Sequence, residues 1–324
     1  MTPDRRRLIV GTAGSANAFG TIRSVRAHWG DAVFVIATDT NRREMVAASV
    51  LADAFVQVPL ARSPEFPDAL REISASYPGS YYLPVHDDEL EISARLAAEG
   101  KLPSGLELIA PPHDVIRLCS DKWAMHQWLR ANGLPSPETA LATPAALEKM
   151  GGPVALKPRE GYASKFVRLV SETAELAGID PDRWLLQEQL RENEVALDVF
   201  LSRSAGRFSC VCREYLALRA GVVTNARVFN DPVLVDIAER LARGLPIFGV
   251  FMFQVMRDAA RRWQIIDVNP RVGRGTGMSA AVGLNFAAAN LADFWGESAE
   301  ALLPPLSGER YVARQYADYV TSRS

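Results

Sequence analysis

Cysteine and histidine are scarce, with three Cys and four His among 324 residues. Cys119 stands alone, and Cys210 and Cys212 form a C-x-C with no second pair to complete a tetrahedral zinc site or a disulfide framework. Buried free thiols in a reducing compartment are therefore expected. An excess of one charge is missing too: 36 Lys+Arg against 38 Asp+Glu leaves −2. Without a basic excess, nucleic acid is not expected as a partner. The longest weakly polar stretch, Ser279 to Trp295, is interrupted by Asn285, Asn290 and Asp293. It falls short of the roughly 20 apolar residues that cross a bilayer, so no membrane partner is expected. The first apolar run, Leu8 to Val10, is too short for the core of an export signal, which places the chain in the cytoplasm. What is present is 48% apolar residues, enough to fill the cores of about two domains at roughly 150 residues each.

The first third alternates short apolar runs with helical patterns, as βαβ units on a parallel sheet do. Strands are predicted at Leu8–Gly11, Ala32–Thr38, Ala54–Val58, Tyr81–Pro84 and Leu106–Ala110. The turn after the first strand contains Gly11 and Gly14, but with Gly20 the spacing does not give G-x-G-x-x-G, so a dinucleotide site is not favoured. After Pro111-Pro112, Ser120 is predicted to cap a helix that Gly133, Pro135 and Pro137 terminate. A helix over Pro144–Met150 precedes short antiparallel strands at 154–158, 166–170, 185–188, 195–202 and 208–214. Asp231-Pro232 opens another helix, strands follow at 249–255 and 263–268, and a last helix is predicted from Ser279 to Trp295.

Two clusters suggest chemistry. Lys157 closes an apolar strand and is followed by Gly161 and Ser164, the arrangement of a point charge beneath a small-residue loop that suits a polyphosphate, with a surface lysine before an ordinary turn as the equal alternative. Further on, Asp267 and Asn269 lie two apart on a strand and so share one face, where oxygen ligands can hold Mg²⁺, with Gln254 of the preceding strand as a third donor. Arg271 and Arg274 follow at once with guanidinium forks for phosphate oxygens.

These segments together resemble the ATP-grasp superfamily, and within it the ATP-grasp units of the carbamoyl-phosphate synthase large subunit and its stand-alone relatives. Ser120-Asp121-Lys122 with Leu129, Gly133, Pro135, Pro137 and Thr139 carries the first part of the match, and Val154 to Arg159 with Ser164 the second. Leu186 to Leu190 with Glu194 and Asp198 carries the third, and Gln254 with Asp267 to Arg271 the fourth. The resemblance implies an α/β ATP-grasp fold with an N-terminal Rossmann-like domain over 1–114, a small lobe with a phosphate-covering loop over 115–186, and a C-terminal lobe with the metal site over 187–324. It implies ATP and Mg²⁺ as cofactors. Lys122, Lys157 and Ser164 would face the phosphates, Gln187 and the backbone of Glu188 and Leu190 the adenine, and Glu194 the ribose. Gln254, Asp267 and Asn269 would hold Mg²⁺, while Arg271, Lys157 and Arg274 would serve the transferred phosphoryl group. One departure is that Asp267 is a methylene shorter than the family's usual Glu and faces a neutral Gln254, so Asp258 is a further candidate ligand.

The resemblance implies activation of a carboxylate as an acylphosphate with release of ADP, then attack by an amine, so small-molecule carboxylates and amines are the expected partners. Carbamate or carboxyphosphate chemistry with a partner protein is the alternative, and an ATP-binding module without turnover is another. A homodimer is left open. His86, Asp87 and Glu89 follow a strand of the first domain and are candidates for orienting the amine, with helix capping by Asp87 as the plainer reading. Arg213 and Arg219 are candidates for the substrate carboxylate, with surface ion pairs as the alternative.

Overall fold

The structure is a computed structural model that describes residues 5–161, 167–219, 221–315 and 317–322. Its first unit comprises β1 (Arg6–Val10), α1 (Ala16–Trp29), β2 (Val33–Asp39), β3 (Ala54–Gln57), α2 (Phe66–Ser76), β4 (Ser80–Leu83), α3 (Asp87–Ala98) and β5 (Leu106–Leu108). The five strands are parallel in the order β3-β2-β1-β4-β5. Leu8 and Val10 bury one face of β1 under α1, and Ile9 buries the other among Phe66, Leu70 and Ile73 of α2. The strand order reverses between β1 and β4, so the loops that follow these two strands open a crevice at the sheet's C-terminal edge.

Next come α4 (His113–Ser120), α5 (Lys122–Ala131), β6 (Thr139–Leu141), α6 (Pro144–Met150), β7 (Val154–Pro158), β8 (Arg168–Val170) and β9 (Trp184–Glu188). Their strands form an antiparallel sheet in the order β6-β9-β7-β8. A second antiparallel sheet, ordered β14-β13-β10-β11-β12-β15, is made from β10 (Arg191–Leu201), β11 (Phe208–Arg219), β12 (Val222–Phe229), β13 (Gly249–Arg257), β14 (Trp263–Asn269) and β15 (Arg310–Ala313). The helices α7 (Pro232–Gly244), α8 (Thr276–Ala281) and α9 (Phe286–Phe294) complete the fold.

Side-chain parity in the six-stranded sheet decides where chemistry can occur. Val195, Leu197, Val199, Phe251, Phe253 and Val255 point to one core with Leu234, Ile237 and Leu241 of α7. Phe200 and Val250, of opposite parity, pack on α9 instead. Glu194, Asp198 and Gln254 share that second face, because side chains alternate along a strand. Val115, Cys119, Met125 and Leu129 of α4 and α5 also join the α7 core, so these helices pack on the six-stranded sheet.

The predicted first sheet is present strand for strand, as are the helix over Pro144–Met150 and the Asp231 cap of α7. Ser120 is not a cap. It ends α4 with its hydroxyl on the Ile116 carbonyl, and Asp121 caps α5 by accepting from the Trp123 and Ala124 amides. A carboxylate one residue later reaches those amides, while Ser120 already lies in helical backbone. The predicted 279–295 helix is two helices, separated around Gly283 in its left-handed conformation (φ +91°). Strands β6, β12 and β15 lack a strong alternating pattern and were not foreseen.

The first unit is tied to the C-terminal sheet by specific contacts. Asn17 of α1 donates to the carbonyls of both Val85 (3.2 Å) and Val272 (3.3 Å). Where α1 passes α8, an added Cβ on Gly20 would lie 3.8 Å from the Gly277 Cα, ordinary van der Waals contact. Trp29 and Trp295 meet edge to face with centroids 4.9 Å apart.

Candidate functional site

Lys157 lies near the end of β7 and is only 8% exposed. Its ammonium donates to Gln187 Oε1 at 2.7 Å, and Gln187 in turn donates to Thr139 Oγ1 at 3.0 Å. Among the described residues Lys157 makes no ion pair. Burial, reinforced by the Lys122 charge and opposed by Asp267, pulls its pKa down to about 8. A buried cation bonded only to a neutral amide is a site short of an anion. Lys122 begins α5 beside it, with its ammonium on the Gly161 carbonyl at 2.6 Å. The start of α5 is fixed to the end of β7 by a fork from Arg159 to Asp121 (2.8 and 2.6 Å) and by the Lys122 amide on the Arg159 carbonyl (3.0 Å). Ser164 lies outside the described residues. Glu188 ends β9, its amide and carboxylate both engaged with the backbone of Glu138, and Leu190 follows half-buried.

The six-stranded sheet forms the opposite wall. Gln254 pairs in register with Asp267 and, on its other side, with Ala196. Gln254 Nε2 donates to Glu194, and Asn269 Nδ2 donates to Asp267 Oδ2 at 2.8 Å. Burial, and to a lesser extent the Asp267 charge, raises the Glu194 pKa to about 7, against the pull of the Gln254 bond. Glu194 therefore stands within electrostatic reach of Asp267, which gives this wall two acids where the sequence suggested one. Asp258 is not available to join them, since its carboxylate bonds Arg262 and Gln264 in the β13–β14 turn. A cleft lies between the two walls, lined by Lys122, Lys157 and Gln187 on one side and Ile266 and Asp267 on the other. Cys119, Met125, His126 and Ser136 line it as well. His126 bonds Ser136 through Nδ1 at 2.8 Å and stacks on Trp123. No sequence signal joined these two residues, because the turn after α5 brings them together.

Past Asn269 the chain turns, and Arg271 reaches the first unit. Its Nε and Nη2 donate to the two oxygens of Asp87 at 2.6 and 2.8 Å, a bidentate pair whose Arg271 side chain is 10% exposed. Burial opposes ionisation of Asp87, but Arg271, with help from His86 and Arg274, holds its carboxyl below the ordinary value. Arg274 itself is exposed. His86, not Asp87, caps α3, with Nδ1 accepting from the Asp88 amide at 3.2 Å.

Glu89 does not face the cleft. It is buried under the loop after β1, where it accepts from the Thr12 amide (3.2 Å), while Asp39 accepts from the Gly14 amide (2.7 Å). A Cβ on Gly11 would lie 1.9 Å from a Glu89 oxygen, which accounts for that glycine. Burial raises the Glu89 pKa to about 7, against the Thr12 hydrogen bond and with the help of Asp39. Arg213 is fully buried against Asp198, which also accepts from Thr276 and Ser279 (2.7 Å each). It is sealed beneath Gly275, whose added Cβ would lie 2.6 Å from the guanidinium, so a substrate has no route to it. Arg219 is exposed at the far end of β11. The structure thus lines one cleft with Lys122, Lys157, Gln187 and Asp267; strand register and hydrogen bonds join Gln254, Glu194, Asn269 and then Arg271 to Asp267, while Glu89, Arg213 and Arg219 lie apart.

Residues 119–275 match the family model described as the ATP-grasp domain. Among solved structures, pyruvate carboxylase from Rhizobium etli superposes with a TM-score of 0.75 at 19% identity, over 95% of this chain and 31% of that one. N5-carboxyaminoimidazole synthetase from Staphylococcus aureus, complexed with ADP, gives 0.72 at 14% identity over 91% and 78%. An L-amino acid ligase from Bacillus licheniformis gives 0.68 at 18% over 90% and 74%. A curated protein of Sinorhizobium fredii, y4rH, is 37% identical over 86 residues, a stretch covering 25% of this chain and 18% of that relative. The chain has the ATP-grasp fold. No helix among the described residues is long and apolar enough to cross a membrane.

Proposed function

We propose that this protein is an ATP- and Mg²⁺-dependent ligase that phosphorylates a carboxylate, releases ADP and passes the acyl group to an amine. The observation that carries this reading is the convergence on one cleft of Lys122 and a buried Lys157, which makes no ion pair among the described residues, with Asp267 and its strand partner Gln254 on the opposite wall. Within the superfamily, solved relatives include an L-amino acid ligase and an N5-carboxyaminoimidazole synthetase crystallised with ADP.

In this reading the ATP phosphates supply the anion that Lys157 lacks, and Lys122 adds a second cation at the start of α5. Gln187 holds the Lys157 ammonium in place. The adenine lies along Glu188 to Leu190 and the ribose beside Glu194. The oxygen donors of Gln254, Asp267 and Asn269 suit a hard cation, and the mutual repulsion of Glu194 and Asp267 marks a place where positive charge is favoured. Mg²⁺ held there would neutralise phosphate charge. A carboxylate oxygen attacks the γ-phosphorus, the bond to the ADP oxygen breaks, and Arg271 and Arg274 stabilise the charge on the transferred group. An amine nitrogen then attacks the acyl carbon, inorganic phosphate leaves and the nitrogen loses a proton. The division into domains at 1–114, 115–186 and 187–324 belongs to the same reading, with the cytoplasm as the compartment.

A screen of small carboxylates and amines with ATP and Mg²⁺ tests this reading, with ADP and phosphate release expected for a matched pair. Formation of AMP in place of ADP would exclude the acylphosphate.

A further inference from the structure

Arg271 and Asp87 are 184 positions apart, yet they form a two-bond fork with little exposure. The pair is not an isolated surface bridge, whose geometry side-chain entropy would loosen. Asn17, itself buried, bonds the carbonyl of Val85 two residues before Asp87 and that of Val272 one residue after Arg271. The two backbones are thus fixed to each other before the side chains meet. Arg271 also touches Asn269 Oδ1 (3.3 Å) and the Val272 carbonyl (3.2 Å), so every part of its guanidinium is oriented.

We infer that Asp87 is a positioning residue: it holds the Arg271 guanidinium in register with the phosphoryl group and does not bind the amine. The N-terminal unit is then an integral part of the phosphoryl-transfer site, contributing an aiming carboxylate from the first turn of α3. A guanidinium preset in one orientation pays no reorganisation when charge develops on the transferred group. This inference rests on the phosphoryl-transfer reading above.

ADP with Mg²⁺ and aluminium fluoride, a planar mimic of the transferred group, tests it without a known acceptor. In the wild type, aluminium fluoride should tighten ADP binding, measured by isothermal titration. In Asp87→Asn the ADP affinity alone should stay within about twofold, while the tightening by aluminium fluoride falls about tenfold. Asp87→Glu should restore part of it, and Asp87→Asn combined with Arg271→Gln should be no worse than Arg271→Gln alone, because the two act as one unit. Thermal melts of each variant identify any that fail to fold, and Asp87→Glu keeps the charge in that case. Full tightening in Asp87→Asn, or losses that add in the double variant, would overturn the role of Asp87. A wild type that shows no tightening at all would overturn the phosphoryl-transfer reading itself. Once an amine is identified, an Asp87→Asn effect confined to the amine KM would return Asp87 to the amine site.

Discussion

Two places in this molecule have the ingredients of a phosphate site, and they differ in what already faces them. The loop after β1 offers Gly11, Gly14 and backbone amides at the edge of a parallel sheet, but the Thr12 and Gly14 amides are bonded to the protein's own carboxylates, Glu89 and Asp39. The cleft between the two antiparallel sheets has the opposite balance, a buried ammonium at Lys157 that among the described residues hydrogen-bonds an amide oxygen and makes no ion pair. A glycine-bearing loop is therefore not sufficient to bind an anion. The charge of the groups packed against it decides, and here the first loop is satisfied internally while the cleft is not.

The largest effect should come from a third buried charge, Arg213, which contrasts with Lys157 because it is neutralised by Asp198. Arg213→Met leaves Asp198 buried and unpaired and should lower stability by about 3–5 kcal/mol in urea unfolding. Next is the internal loop. Because the folded pKa of Glu89 is about 7 against 4.5 for an ordinary glutamate carboxyl, its contribution to stability is full below pH 4.5 and is lost as pH rises through 7. Glu89→Gln removes that loss and should gain about 3 kcal/mol over wild type at pH 8 but little at pH 4.5. Urea midpoints at both pH values check the sign. Lys157→Met should instead reduce Mg-ATP affinity about a hundredfold while leaving the protein at least as stable, because it removes a desolvated charge that makes no ion pair among the described residues. The smallest effect is a pH slope: nucleotide affinity should begin to fall as pH rises through about 8, where the empty site's Lys157 loses its proton. Titrations at pH 7 and 9 would show it in wild type and not in Lys157→Met.

Much of this contrast was legible in local sequence, and the rest was not for physical reasons. Parity along β14 places Asp267 and Asn269 on one face without knowledge of the fold, since alternation is a local property; that Gln254 faces Asp267 depends on the β13–β14 register, which shifts beside it. Lys157 at the end of an apolar strand reads equally as a phosphate-facing cation or a surface lysine before a turn, and its burial comes from the packing around it. The Asp87–Arg271 fork depends on how α1 packs on α8, through Asn17 and Gly20, and no spacing encodes that. Arg213 looked available because a strand arginine at a β-hairpin is usually exposed; only the closure of the Gly273–Gly275 turn over it shows that it is sealed. Glu89 followed a strand as a substrate-facing acid would, but its position on the inner side of α3 turns it towards the loop after β1.

The most direct test of the account is a calorimetric titration of Mg-ATP into wild type, Lys157→Met and Glu89→Gln under one set of conditions. The account predicts one nucleotide per chain in wild type, the same affinity in Glu89→Gln and a loss of about a hundredfold in Lys157→Met. Undiminished binding in Lys157→Met, or binding lost in Glu89→Gln, would contradict the assignment of the nucleotide to the cleft and return it to the first loop.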